Sequence, residues 1–356
     1  MKLNWLSSIS QGQGYSGSSE HFVVALSKLG HDVRVISFGF DNKKNITNKG
    51  LAIKQKPFSI ADIGIAYGYP NSFSSLMFNK YKVGYTMFET TKVPSGVNAW
   101  AGPTGNWVDM LKNIDLLLTP STFCAEVFMR NGCKIPIKVV PLGVNPEIYH
   151  YIERPKRKIF TFLMIGTLTI RKNPGYVISA FLNLFKNNQN VRLILKTQDG
   201  TLGSMTFPYR NLIIIDRRST NEEIQQYLYD ADCFIFPSRG EGFGLPPLEA
   251  MATGLPTILS NNTGMADFCN PKYNYPINKM TAQPAKRFPK AWGNVGNWFD
   301  PDPKEIQAIM KHVYENQDEA REKGKAAAEW VKNNWTYDNS AKKLIDTLQN
   351  TLLNKK

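Results

Sequence analysis

Short, nearly unbroken apolar runs recur along this chain, separated by stretches with helical spacing. LNWLSS, DVRVISF, IGIAYG, VGYTMFE, IDLLLTP and IKVVPLG occupy the part up to Gly143. Runs that are apolar on both alternating faces predict strands of a parallel sheet covered by helices on each side. Between the first two, the pattern predicts a helix around His21–Leu29, stopped by Gly30. After Gly143 the chain turns polar and basic, VNPEIYHYIERPKRK, which reads as a linker around 148–158. The alternation then restarts with IFTFLMIGTL, VRLILKT, NLIIID, DCFIFP and PTILS, with a helix from Pro174 and a short one at PPLEAMAT closed by Gly254. From Asp302 the composition is helical, with Trp330 and Trp335 as anchors. The expectation is an α/β protein of two Rossmann-like, doubly wound domains facing across a cleft: 1–152, 153–335 and a closing helical segment 336–356.

The two halves echo each other. Asp115-Leu-Leu-Leu-Thr-Pro-Ser121 and Asp232-Cys-Phe-Ile-Phe-Pro-Ser238 share one spacing: an apolar strand entered by Asp and stopped by Pro-Ser. In each, the serine is positioned to cap the next helix. Asp230-Ala-Asp232 has the letters of a metal-binding triplet, but it enters a strand and reads as structural.

Three stretches carry candidate chemistry. QGQGYSG spells Gly12-x-Gly14-x-x-Gly17 between a strand and a helix, the pattern of a dinucleotide fingerprint. The fingerprint also expects an acid at the end of the second strand, where this chain has ISFGF and no acid before Asp41. An NAD-dependent oxidoreductase is therefore the lesser reading, and glycines that let backbone approach a ligand the better one. The second stretch is Gly166-Thr167-Leu-Thr-Ile-Arg171-Lys172-Asn173-Pro174, two adjacent cations beyond the carboxyl end of a strand, suited to a diphosphate. The third, RGEGFGLPPLEAMATG, puts Glu241 between glycines and Glu249 in the first turn of a helix, where the macrodipole favours an acid. Gly242 and Gly244 leave backbone N–H groups open to a phosphate or hydroxyl. Carboxylates accept hydrogen bonds from vicinal hydroxyls while amides and cations take phosphates, a combination that describes a nucleotide sugar.

Glu241-Gly-Phe-Gly-Leu-Pro-Pro-Leu-Glu249 followed by Ala-Met-Ala-x-Gly-x-Pro resembles the E-x7-E signature of glycosyltransferase family 4, retaining enzymes of the GT-B fold. Gly166-Thr…Arg-Lys-Asn173, Val140-Pro-Leu-Gly-Val144, Phe88-Glu89 with Pro94, and Gly30-His-Asp-Val33 extend the resemblance over nearly the whole chain. It implies sugar transfer from a nucleoside-diphosphate sugar, of UDP-glucose type, to an acceptor hydroxyl with retention. By the same resemblance Glu249 holds ribose hydroxyls and Glu241 contacts the donor sugar. The backbone of Gly242, Phe243, Gly244 and Leu245, with Gly166 and Thr167, lies against sugar and phosphate. Arg171 and Lys172 neutralise the leaving diphosphate, so no metal and no tightly bound cofactor is needed. The implied step is front-face, the departing phosphate helping to deprotonate the acceptor; double displacement through Glu241 is the other route. Gly14, Tyr15, Ser16, Gly17 and Glu89 fall on the donor–acceptor cleft, and the closing helix returns to the first domain. Two departures stand out: Thr167 occupies a position where many relatives have arginine, and a histidine common in the first domain is not obvious here. A nucleotide-sugar binding protein or epimerase on the same scaffold is the other reading, and the intact Glu241, Glu249, Arg171 and Lys172 weigh against a dead enzyme.

Charge bears on the acceptor. The net charge is +14, and residues 1–158 hold 19 Lys and Arg against 10 Asp and Glu. That excess fits a polyanionic partner, either a membrane-associated lipid-linked glycan or DNA bearing hydroxymethylated bases, and equally a lysine-rich solvated surface. A protein acceptor is also open. The N-terminus MKLNWLSSIS is too short and polar for a signal peptide, no apolar run reaches a membrane span of about 20 residues, and the four cysteines lack any CxxC spacing. The expectation is a reducing, cytoplasmic setting with peripheral membrane contact.

Overall fold

The computed structural model describes residues 1–9, 14–37, 46–57, 59–96, 106–198, 208–286, 288 and 292–354. These form two compact units: Met1–Gly143 with Pro284–Asn297 and Trp335–Lys356, and Val144–Gln283 with Trp298–Asn334. The basic stretch read as a linker belongs to the second unit. There the buried Arg154 guanidinium donates to the carbonyls of Leu228 (3.0 Å), Ala231 (2.9 Å) and Thr253 (3.1 Å). Residues 284–297, which the hydrophobic pattern puts in the second half, belong to the first unit: Trp292 packs on Phe88 and Trp107.

The first unit holds β1 (Lys2–Leu6), β2 (Asp32–Ile36), β3 (Ile63–Tyr67), β4 (Tyr81–Tyr85), β5 (Leu116–Thr119) and β6 (Ile137–Val139), with α1 (Tyr15–Lys28), α2 (Asn48–Lys54), α3 (Trp107–Met110) and α4 (Thr122–Arg130). Its strands lie in the order β2-β1-β3-β4-β5-β6, every pair parallel. The second unit holds β7 (Phe160–Ile165), β8 (Val191–Thr197), β9 (Leu212–Asp216), β10 (Cys233–Phe236), β11 (Thr257–Ser260) and β12 (Tyr275–Ile277) in the order β12-β11-β10-β7-β8-β9, again all parallel. Its helices are α5 (Pro174–Phe185), α6 (Asn221–Asp230), α7 (Leu245–Ala252), α8 (Pro303–Glu315) and α9 (Gln317–Asn334). The last helix, α10 (Tyr337–Leu348), lies in the first unit, where Tyr337 packs edge-on to Phe22 of α1.

Both sheets change direction at one place. β1 has β2 on one side and β3 on the other, and β7 likewise has β8 and β10. Successive crossovers leave such a strand toward opposite edges, which opens a crevice at its carboxyl end. In the second unit the loops bounding that crevice are those after β7 and β10, which carry Gly166–Asn173 and Ser238–Gly244.

The repeated Asp-strand-Pro-Ser spacing has a structural cause. Asp115 accepts the Lys82 N–H of the neighbouring strand (2.7 Å), and Asp232 accepts the Thr161 N–H (2.8 Å). Each aspartate thus pairs a backbone donor where its strand enters the sheet, which bears out the structural reading of Asp232. The serines differ. Ser121 caps α4 by accepting from Cys124 N, as expected, whereas α7 is entered through Gly244 and Ser238 does other work.

Candidate functional site

The loop after β7 and the loop after β10 are stitched together. Arg239 N–H donates to the Arg171 carbonyl (2.8 Å), and the Arg239 side chain reaches the Ile170 carbonyl and Asp300 Oδ1 (2.5 Å). Tyr176 completes this anchor by donating to Asp300 Oδ2 (2.9 Å).

Inside the stitched loops lies a buried charge cluster. Glu241 Oε1 takes Arg171 Nη1 at 2.7 Å, Lys172 Nζ at 2.8 Å and the Ser238 hydroxyl at 2.6 Å. Lys172 Nζ also stands 4.5 Å over the Phe236 ring. Glu241 and Lys172 are both buried. Burial alone pushes the Glu241 carboxyl up, but Arg171 and Lys172, then hydrogen bonds from Lys172 and Ser238, overcome it and hold the group at about 2. All three donors converge on one oxygen; among the described residues no hydrogen bond reaches Oε2. Two cations and one carboxylate thus meet in a single cluster.

Glu249 is the opposite case. The helix α7 begins at Leu245 behind Gly244, in the left-handed region at φ 108, and has no acid in its first turn. The macrodipole explanation for Glu249 therefore fails: the residue sits in the second turn, because the Gly244 cap and the Pro246-Pro247 pair start the helix early. Its side chain is buried, and among the described residues it has neither a hydrogen bond nor an ion pair. Burial pushes its carboxyl up to about 8, and the Tyr149 hydroxyl, itself raised by burial first, is raised further by Glu249.

Two site residues carry no local signal in the sequence. Thr263 Oγ1 accepts the Glu241 N–H (2.9 Å), and Gly264 N–H donates to the Glu241 carbonyl (2.9 Å), so the segment after β11 clamps both backbone groups of Glu241. Thr263 does this at φ 48, a strained conformation for a β-branched residue. Asn262 adds donations to the Ser238 carbonyl (3.2 Å) and the Phe299 carbonyl (3.3 Å). A Cβ on Gly264 would stand 2.3 Å from the Gly242 carbonyl oxygen and 2.7 Å from Phe243 N, backbone that cannot swing aside. Gly264→Ala is expected to lower stability by about 2 kcal/mol, read by urea unfolding, and to weaken ligand binding by displacing Gly242–Phe243. Unchanged unfolding would show that this backbone yields freely.

In the first unit, Gly14 (φ 83) is the cap of α1, and Tyr15, Ser16 and Gly17 are helical rather than loop. The helix starts well before His21 because Tyr15 is fixed by tertiary contacts. Its ring meets Tyr67 (5.0 Å) and Tyr69 (5.7 Å), and its hydroxyl accepts Met87 N–H (3.2 Å). β4 ends at Tyr85, so Glu89 lies in the bend beyond it, half-buried, rather than at the strand end. These residues share the carboxyl edge of the first sheet. Gly12 and Asp41 lie outside the described residues.

Residues 147–330, more than half of the chain, match the family described as glycosyl transferases group 1. The chain belongs to that family. The match spans both loops of the site, and a nicotinamide enzyme is not favoured by it. The UDP-Gal:alpha-D-GlcNAc-diphosphoundecaprenol alpha-1,3-galactosyltransferase of Escherichia coli is 33% identical over 146 residues, 36% of this chain and 37% of that protein. The alignment thus spans little more than a third of that relative. Sucrose-phosphate synthase of Thermosynechococcus elongatus has the same fold, with a TM-score of 0.70 at 14% identity, over 98% of this chain and 99% of that one. Anabaena HepE, in complex with UDP-glucose, superposes with a TM-score of 0.66 at 13% identity, over 98% and 100% of the two chains. The two parallel six-stranded sheets are those of the GT-B architecture.

Proposed function

We propose that this member of glycosyl transferases group 1 moves a hexose from a nucleoside-diphosphate sugar, of UDP-glucose type, to the hydroxyl of a lipid-linked glycan, with retention. The observation that carries the reading is the occurrence, on the loops and helix at one sheet crevice, of the buried Arg171–Lys172–Glu241 cluster together with the buried carboxyl of Glu249, which has no hydrogen bond or ion pair among the described residues. Arg171 and Lys172 take the diphosphate, and their fixed charge stabilises it as it leaves. Glu241, its Oε1 occupied, offers Oε2 to the donor sugar. Glu249 accepts from the vicinal hydroxyls of the ribose, which supply the hydrogen bonds that its protein surroundings lack. The N–H groups of Gly242–Leu245 lie along sugar and phosphate. These assignments follow the E-x7-E pattern of glycosyltransferase family 4.

In the proposed step the bond from the anomeric carbon to the diphosphate oxygen breaks, and the acceptor oxygen bonds to the same face of that carbon. The acceptor proton passes to the departing phosphate. Gly14–Gly17 and Glu89, on the carboxyl edge of the first sheet, are proposed to serve the acceptor. The lipid-linked acceptor rests on the E. coli relative, whose name specifies a diphosphoundecaprenol-linked sugar as substrate.

Lys172→Ala is expected to raise the donor KM about thirtyfold, since a charge-assisted contact to phosphate is lost. The check is nucleoside-diphosphate release, with several nucleotide sugars crossed against a lipid-linked glycan, a soluble glycan and hydroxymethylated DNA. A wild-type KM in the variant would remove Lys172 from the site, and transfer to DNA alone would overturn the acceptor.

A further inference from the structure

The crevice of the first sheet is bounded by the loops after β1 and β3, the counterparts of the loops after β7 and β10 that carry Arg171 and Glu241. Where the second unit places charge, the first places rings. Tyr15 follows β1 at the start of α1, and Tyr69 stands two residues beyond the end of β3. Their rings meet edge-on at 5.7 Å, and Tyr69 also packs on Trp107 (5.5 Å) and Trp292 (6.4 Å), all within the first unit. Rings thus back Tyr69, yet the residue stays 45% exposed. Its main chain is fixed as well. The Tyr69 carbonyl accepts the Ser72 N–H (3.0 Å) and hydroxyl (2.7 Å) where Pro70 opens a 3-10 helix, Pro70–Leu76. The preceding Gly68 N–H donates to the Tyr85 carbonyl (3.0 Å). A ring held in this way loses little freedom when a ligand covers it.

Charge on the neighbouring segments is sparse. Gly14–Gly17 and Thr86–Thr91, which reach the same edge after β1 and β4, hold one charged side chain, the acid Glu89. A nucleic-acid strand that stacks its bases on aromatic rings needs cations to follow its phosphates, and these segments supply none. A pyranose asks for the reverse: a flat apolar surface under its C–H face and hydrogen-bond partners for the hydroxyls around its rim.

We propose that Tyr69 is the platform on which the acceptor sugar stacks, the C–H face of the pyranose against its ring and the rim hydroxyls left to polar groups of the same edge. The negative face of the aromatic ring attracts the weakly positive C–H groups, and covering both removes apolar surface from water. This role rests on the sugar transfer proposed above, and within it names the residue that selects a pyranose as acceptor. The stack is the same in the ground state and during transfer, so Tyr69 acts on the acceptor KM and not on kcat.

The test uses the full chain with the methyl α-glycosides of glucose, galactose, mannose and N-acetylglucosamine as probes. Saturation-transfer NMR reads binding without turnover. Irradiating the aromatic protons of the wild type is expected to mark ring C–H protons of one or more of these sugars, and Tyr69→Ala to bind that sugar about tenfold more weakly. With the same sugar as acceptor and UDP-glucose as donor, UDP release is expected to show an acceptor KM raised about tenfold, with kcat and the donor KM within about twofold of wild type. Tyr69→Leu keeps an apolar side chain against Trp107 and is expected to match the alanine variant, whereas Tyr69→Phe keeps the ring and is expected to rescue the KM. Equal thermal melting separates loss of the ring from loss of the fold. Wild-type affinity in both the alanine and the leucine variants, a fall in kcat in place of the rise in KM, or no sugar marked at all overturns the platform. A defect confined to hydroxymethylated DNA also overturns it, and assigns the ring to a stacked base. Sugar binding that depends on Tyr69 without any UDP release counts against the transfer and leaves the platform standing.

Discussion

Glu241→Gln is expected to lower stability by about 3 kcal/mol at neutral pH and to reduce turnover on the order of a hundredfold. The wild-type carboxyl is held at about 2 in the fold, against an ordinary 4.5. Its ionised form is therefore favoured by folding: that stability is fully present above about 4.5 and is lost as pH falls through about 2. The neutral amide leaves Arg171 and Lys172 as two adjacent cations without their carboxylate, and Lys172 is buried. Urea unfolding of both proteins from neutral to acid pH checks the sign. The difference between them should be constant above about 4.5 and narrow below it. A gap that stays flat across that range would mean the cluster does not stabilise the fold by charge.

The reverse dependence is expected at Glu249. Burial pushes this carboxyl up to about 8, so the folded state keeps a proton that the unfolded chain has released above about 4.5. The neutral form is fully accommodated below about 4.5, and its contribution to stability is lost as pH rises through about 8. Glu249→Gln, neutral throughout, should match the wild type near pH 4 and exceed it increasingly above, approaching about 5 kcal/mol beyond pH 8. Donor binding should move the opposite way. If ribose hydroxyls are accepted by the ionised carboxylate, binding below pH 8 releases a proton, and the glutamine variant binds more weakly without that release. Calorimetry in two buffers of different ionisation enthalpy measures the proton directly; a buffer-independent heat would sink the assignment. The two glutamates thus respond to pH with opposite signs.

Legibility differed element by element. The strands from β1 to β11 stand out in the sequence because parallel strands covered on both faces are continuous apolar runs, and β7 is buried along its whole length. β12 does not stand out: it has three residues, one of them Pro276, a residue that only an edge position tolerates. The start of α1 was hidden because Gly14-Tyr15-Ser16-Gly17 has the composition of a loop. The helix is extended to Tyr15 by ring contacts with Tyr67 and Tyr69, far away in sequence. Thr263 and Gly264 were invisible for a related reason: what distinguishes them is their approach to the backbone of Glu241, Gly242 and Phe243.

Two doubly wound halves, the Arg171-Lys172 pair beyond one strand, and two carboxylates eight positions apart beyond another can all be read along the chain. Those are consequences of periodicity and loop position, which are local. What the two carboxylates are depends on contacts distant along the chain. The residue pattern assigns Glu249 to the helix dipole and leaves Glu241 without a partner, whereas the fold pairs Glu241 with cations about 70 positions away and buries Glu249 in the second turn with no hydrogen bond or ion pair among the described residues. Ionisation follows burial and through-space charge, and neither is written in the spacing of neighbouring residues.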